Sequence, residues 1–282
     1  RILMKYIEKK EKLIKIIKDL LKDKFILAFS GGVDSALIMK LASLYRESEN
    51  DVRAMFFKAM STTKEEEENA IKLAREMGVD LVIREVDILT NDKIAHNAKD
   101  RCYHCKKTLF SEALKLKDKE GYGAVVDGTN TDDHKVYRPG LMALRDLGVV
   151  SPLNEAGFSK ADVRLLAEDL DLRVAKKPSA PCLLTRFPYG TEIKKDKLDR
   201  LETAEGFIRS LGYEKFRLRD HDDLARLEIE KADFSKFFKE YDLVVKKLKD
   251  LGYSYVCLDM EGFRSGSMDI KLSKEEKDKY SL

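Results

Sequence analysis

No apolar stretch of this 282-residue chain approaches the roughly 18 residues of a membrane-spanning helix, so no such span is expected. Charge of one sign is lacking too. The 54 Lys and Arg nearly balance 51 Asp and Glu, leaving +3, without the marked basic excess of a dedicated nucleic-acid binder. A local basic groove remains compatible with that balance. Residues 1–24 alternate Lys and Glu with Leu and Ile and have no signal-peptide h-region. They read as an amphipathic helix at the start of a cytoplasmic chain. The chain opens on Arg1 rather than Met, which leaves room for residues upstream. Cysteine is scarce: four residues, which inside a cell serve chemistry or metal rather than disulfides. Proline is scarcer in effect, because Pro178, Pro181 and Pro188 are three of only five and share the stretch Lys176–Gly190. That stretch reads as a loop and as the domain boundary. No internal repeat or low-complexity tract is present.

The length suffices for one large or two moderate domains. Strand-like apolar runs recur at Phe25–Phe29, Val52–Phe57, Leu81–Val86 and Gly123–Asp127, with helices such as Lys64–Met77 between them. Strands alternating with helices predict an α/β fold with a doubly wound parallel sheet, whose ligands bind past the carboxyl ends of the strands. Beyond the proline-rich loop, a helix at Lys194–Leu211, strands at Lys215–Arg219 and Ala225–Glu230, a helix at Phe234–Leu251 and a strand at Ser254–Asp259 predict a smaller C-terminal α+β domain. The expected domains are 1–188 and 189–282. The charged end, Ser273–Leu282, reads as solvated.

The first strand runs directly into Ser30-Gly31-Gly32-Val33-Asp34-Ser35, and a helix comes next. Strand, glycine turn and helix are the order needed to hold a phosphate: glycines let the backbone approach, and successive N–H groups converge on one anion. Ser30 and Ser35 each offer a hydroxyl. Asp34 would repel phosphate alone, but is suited to hold a Mg²⁺ bridging to it. No Gly-Lys-Ser/Thr closes the loop, so it is not a Walker-type P-loop. The run resembles the PP-loop of the ATP pyrophosphatases, which adenylate a substrate and release pyrophosphate. The other reading is a polar turn with Ser as helix cap.

Cys102 and Cys105 form a C-x-x-C, followed by Lys106 and Lys107; Cys182 lies in the proline-rich loop. No second C-x-x-C completes a zinc site. Three thiolates suit a [4Fe–4S] cluster with one open iron, or a nucleophile with resolving thiols helped by Lys106, Lys107 and Arg186, or structural or zinc-bound cysteine; all three readings stand. Cys257, mid-strand, reads as a small core residue. In Gly128–Asp133, Thr129 and Asp132 are candidates to face a nucleotide or its metal, and an Asx-rich turn explains the same composition. Arg217 and Arg219 alternate on one strand and so share a face, which suits a phosphate monoester as well as a solvated surface. Glu205 and Glu228 are read either as ligands of a possible second metal or as partners of these arginines. The four histidines show no ligand spacing.

Taken together, Phe29–Ser35, Arg101–Lys106, Asp127–Asp133, Arg138-Pro139-Gly140, Pro181–Gly190, Phe216–Arg219 and Asp259–Met268 resemble, in order along nearly the whole chain, the LarE family of ATP-dependent sulfur transferases. The resemblance implies a PP-loop fold of the adenine nucleotide alpha hydrolase-like kind. It implies a pyridinium-3,5-dicarboxylate mononucleotide as substrate in nickel-pincer nucleotide synthesis, with ATP and Mg²⁺ as cosubstrates. ATP would be held by Ser30, Gly31, Gly32, Val33, Asp34, Ser35 and Thr129, and the substrate phosphate by Arg217 and Arg219. Lys106 and Arg186 would contact the adenylate or the substrate. The family either sacrifices one cysteine, found in the loop that carries Cys182, or holds a [4Fe–4S] cluster on three. Cys102, Cys105 and Cys182 fit the second type, fed by a sulfide source. Members form trimers or hexamers. A tRNA thiolase of the same superfamily and a non-catalytic nucleotide-binding regulator are the competing readings.

Overall fold

Four short segments pair as a parallel sheet, of which Phe25–Ala28, Val52–Lys58 and Ala124–Val126 are largely buried, as such strands must be, while Asp80–Glu85 at one edge stays largely exposed. The computed structural model describes residues 2–135, 137–177, 181–264 and 266–278. Arg1 of the expected N-terminal helix, Pro178 of the proline-rich stretch, Ser265 of the C-terminal motif and 279–282 of the charged end lie outside them. The elements run α1 (Ile2–Lys22), β1 (Phe25–Ala28), α2 (Val33–Tyr45), β2 (Val52–Lys58), α3 (Lys64–Glu76), β3 (Asp80–Glu85), α4 (Asp92–Ala95), α5 (Arg101–Glu120) and β4 (Ala124–Val126). They continue α6 (Pro139–Asp146), α7 (Pro152–Glu155), α8 (Lys160–Asp169), α9 (Lys195–Ser210), β5 (Phe216–His221), β6 (Leu224–Ile229), α10 (Phe234–Asp250), β7 (Tyr255–Leu258) and α11 (Lys274–Asp278).

Two units divide the chain. The first comprises Arg1–Ile88, Asp100–Ser179 and Glu275–Leu282, the second Leu89–Lys99 and Ala180–Lys274. In the first, four parallel strands stand in the order β3-β2-β1-β4. The period-two geometry of a strand sorts their side chains. Phe25 and Leu27 of β1 join Leu13 and Ile17 of α1 and Leu37 of α2 on one face, whereas Ile26 joins Met55, Phe110 and Val125 on the other. Burying a side chain of this size is worth about 1.5–3 kcal/mol. The start of α3 is fixed by Thr63, which accepts from the Glu66 amide while the Glu66 carboxylate accepts from the Thr63 amide, a reciprocal cap.

The strand order positions the loops at the sheet's carboxyl edge. β1 lies between β2 and β4, so the loops leaving β1 and β4 start side by side there, where such sheets open a crevice.

In the second unit β5 and β6 are antiparallel, and β7 pairs parallel to β6. The hairpin turns through Asp222 at φ 64°, a left-handed conformation that Asp tolerates better than most residues. α9 packs on β5 and α10 on β7. Asn97 ties the segment Leu89–Lys99 to the loop of Cys182: its buried amide donates to the carbonyls of Phe187 (3.0 Å) and Pro188 (2.8 Å). Cys257 corrects the sequence reading. It is exposed, because the alternation of the strand puts it with Tyr255 on the open face of β7. The charged end forms the short helix α11 as far as it is described.

Candidate active site

At the mouth of the first unit's crevice, β1 ends and the chain turns through Gly31 at φ 72°, where a side chain would be strained. The Gly31 carbonyl accepts from the Asn69 amide of α3 at 3.0 Å. α2 then begins with Gly32 at its cap and no side chain closing it, so its first amides remain available to an anion. The Ser35 hydroxyl donates to the Gly32 carbonyl (3.2 Å) and lies 3.3 Å from the Ser30 hydroxyl. Val33 is buried and pins the helix start into the core.

The loop after β4 closes the other side. Gly128 approaches so closely that a Cβ there would stand 2.9 Å from the Ser35 amide nitrogen and 3.1 Å from the Asp34 Cβ. The Asn130 amide donates to Asp34 Oδ1 at 3.1 Å. Asp127, itself buried, staples the loop by accepting from the hydroxyls of Thr129 and Ser151, both at 2.6 Å. Thr129 thus has its hydroxyl turned to Asp127. The other Asp34 oxygen is paired with the ammonium of Lys160, the first residue of α8. Asn69, Asn130 and Lys160 are absent from the nucleotide-binding set that the sequence motifs suggest. Lys160 carries no motif signal and is 126 residues from its partner.

Cys102 and Cys105 occupy the first turn and a half of α5, exposed and half-buried respectively, and the i,i+3 spacing puts them on one side of the helix. Gly140 of α6 lets the two helices meet there. A Cβ on it would stand 3.0 Å from Lys106 Cγ and 3.4 Å from the Cys102 carbonyl oxygen. The Lys106 ammonium lies 4.7 Å from the centre of the Phe110 ring. Among the described residues no group of three or more His, Cys, Asp or Glu is placed to hold a metal ion, and no cysteine forms a disulfide.

Cys182 belongs to the second unit, exposed and leading into a short 3-10 turn, Leu183–Arg186. Two buried arginines build that turn. Arg186 pairs bidentately with Glu205 of α9 (2.7 and 3.0 Å) and donates to the carbonyl of Pro181 and the hydroxyl of Thr185. Arg219 pairs bidentately with Glu228 (3.0 Å twice) and donates to the Thr185 carbonyl at 2.7 Å. The carboxylates of Glu205 and Glu228, candidate ligands of a second metal, are therefore engaged by guanidiniums. Glu205 pairs with Arg186 rather than with either strand arginine.

Arg217 differs. Among the described residues it makes no ion pair. It donates to the Phe216 carbonyl and lies 5.0 Å from the centre of the Phe263 ring. Burial, and next the nearby Arg186 charge, push its guanidinium down to about 10. Arg226 joins Arg219 on Glu228 at 3.2 Å and lies 3.7 Å from Asp259, so Arg186, Arg219 and Arg226 each have a carboxylate at ion-pair distance and Arg217 has none among the described residues. A half-buried cation without a carboxylate is a ready acceptor of an anion.

Strand, uncapped glycine turn and helix at a switch point define a PP-loop nucleotide-binding protein, and a model of the PP-loop domain matches residues 5–133. Over 268 residues the chain is 38% identical to pyridinium-3,5-bisthiocarboxylic acid mononucleotide synthase of Lactiplantibacillus plantarum, covering 95% of this chain and 96% of that one. It is 37% identical to uncharacterized proteins of Synechocystis sp. (89% and 94% covered) and Methanocaldococcus jannaschii (90% and 98% covered). The chain belongs to the LarE family of ATP-dependent sulfurtransferases.

Proposed function

We propose that this protein activates a carboxylate of pyridinium-3,5-dicarboxylate mononucleotide with ATP and replaces one of its oxygens by sulfur, in nickel-pincer nucleotide synthesis. The observation that carries the reading is the 38% identity to the mononucleotide synthase across 96% of its length. A carboxylate resists nucleophiles until one oxygen becomes part of a leaving group. Attack of that oxygen on the α-phosphorus of ATP expels pyrophosphate and leaves an acyl-adenylate. Sulfur then adds at the acyl carbon, the C–O bond to AMP breaks, and a thiocarboxylate remains.

The open amides of α2 and the hydroxyls of Ser30 and Ser35 are suited to the phosphates. The donor set fits a divalent cation, since Asp34 offers carboxylate oxygen at the anion-binding turn; Mg²⁺ there would screen the phosphate charge under attack. Arg217 is suited to the phosphate of the mononucleotide, which makes the C-terminal domain the substrate-anchoring one. Lys106 lies beside the cysteines on α5, while Arg186 holds the backbone of the Cys182 turn.

Cys102, Cys105 and Cys182 are the residues to hold a [4Fe–4S] cluster. The one-turn pair on α5, Cys102 exposed and Cys105 half-buried, fits two of the three corners. A cluster would supply an open iron that carries the transferred sulfide. The reaction belongs to the cytoplasm and to a homo-oligomer, a trimer or hexamer as the family resemblance implies.

The test is pyrophosphate release from ATP by the anaerobically purified protein. Release that depends on the pyridinium mononucleotide supports the reading. Release that depends on tRNA instead would make the protein a tRNA thiolase, and release with neither would refute carboxylate activation.

A further inference from the structure

The turn at the start of α2 poses an electrostatic problem: an anion-binding backbone with a carboxylate, Asp34, in its midst. In a Walker loop a lysine within the motif neutralises incoming phosphate, and this turn has none. The tertiary fold brings one in. The Lys160 ammonium is ion-paired with Asp34 Oδ2 while Asn130 occupies Oδ1. The backbone of Lys160 is fixed twice. Its amide donates to Asp132 at 2.8 Å, and α8 is locked one residue earlier by the reciprocal Ser159–Asp162 cap. Its side chain is not fixed in the same way. Among the described residues Asp34 is the one partner its ammonium has, and both side chains keep partial solvent access, 32% for Lys160 and 22% for Asp34.

We infer that Lys160 is a phosphate-binding residue of the nucleotide site, holding the triphosphate chain of ATP and then the pyrophosphate leaving group. This rests on the reading of the α2 turn as an ATP site. Without nucleotide, the ammonium neutralises Asp34. When a triphosphate arrives with its divalent cation, Asp34 faces the cation and the ammonium, released at the end of a four-carbon stem, turns to the phosphate oxygens. The ion pair thus keeps a carboxylate from repelling the ligand, and is exchanged for two charge-matched contacts rather than lost. A compact ammonium on a mobile stem suits that exchange better than a guanidinium fork, which is best where geometry is rigid. The chemistry favours the polyphosphate end over the α-phosphate of AMP, since the number of phosphate charges sets the gain.

Calorimetric titration of the full-length protein with a non-hydrolysable ATP analogue, with Mg²⁺ and with chelator, and with AMP, separates the possibilities. Lys160→Met should weaken the Mg²⁺-analogue about tenfold or more, roughly the worth of one charge-assisted contact. AMP affinity should change less than about twofold, and Lys160→Arg should restore most of the loss. Asp34→Asn should erase the Mg²⁺ dependence and leave a measurable effect of Lys160→Met in chelator. Equal weakening of AMP and analogue, or unchanged binding of both, would overturn the assignment and leave Lys160 as a structural partner of Asp34. Failure of the unaltered protein to bind either nucleotide would refute the ATP site itself, and the role of Lys160 with it.

Discussion

Replacing Arg217 by Met removes a charge that the fold does not neutralise and keeps an unbranched stem against Phe263. Burial and the Arg186 charge push this guanidinium from its usual range down to about 10. A depression of that size corresponds to about 3 kcal/mol of cost for holding the charge. Partial solvent exposure reduces the expected effect to about 1–2 kcal/mol. The sign is opposite to that of a paired arginine. Below pH 10 the wild-type protein carries the full cost. The cost is relieved only as pH rises through the folded value toward the unfolded one. Arg217→Met should therefore be more stable than wild type at pH 7, by about 1–2 kcal/mol in urea, and the gap should start to close near pH 10. Function should move the other way: the KM for the pyridinium mononucleotide should rise far more than the KM for ATP. The mononucleotide should stabilise wild type by about 2.7 kcal/mol at a hundredfold excess over Kd, and the variant by much less at that concentration. A variant destabilised by more than about 1 kcal/mol at every pH would show that Arg217 is a structural partner. Equal effects on both KM values would show that the phosphate is bound elsewhere.

Gly128→Ala should cost about 1–3 kcal/mol in thermal or urea unfolding and abolish ATP-dependent pyrophosphate release, since its Cβ would meet the Ser35 amide at 2.9 Å; unaltered release would mean that the two loops separate in the working enzyme. Glu205→Gln should cost about 3–5 kcal/mol in urea unfolding, because it strips the buried Arg186 of its charge partner, and a loss under about 1 kcal/mol would refute the clamp. In anaerobically purified protein, iron and acid-labile sulfide should each come to about four per chain and vanish in Cys102→Ala. No iron in the wild type, with Cys182 losing its sulfur on turnover by mass spectrometry, would replace the cluster by a sacrificial thiol.

The parts of the site that lie contiguous in the chain are legible from residues alone. Ser30–Ser35 can be read because a phosphate turn needs its glycines and hydroxyls adjacent. The C-x-x-C can be read because one helical turn sets its spacing. The apolar runs give the strands to within a residue or two, since even a partly buried strand needs a short run of apolar and β-branched residues. Cys257 defeats such a reading because an apolar run marks a strand but not which of its faces is covered. Glu205 and Glu228 look equally fit for metal or for arginine, and only their packed positions on α9 and β6 pair them with Arg186 and Arg219.

Sequence by itself thus determined the elements, the α/β class, the nucleotide turn and the family, each encoded in residues close along the chain or in ordered motifs. Tertiary structure decided which charges are matched. Strand order set β4 beside β1, bringing Gly128 and Asn130 onto Asp34, and α8 delivered Lys160 from 126 residues away. It also left Arg217 as the unmatched cation beside Arg186, Arg219, Glu205 and Glu228. Coulomb energy depends on distance through space, and no local pattern records which distant side chain ends within a few ångströms of another.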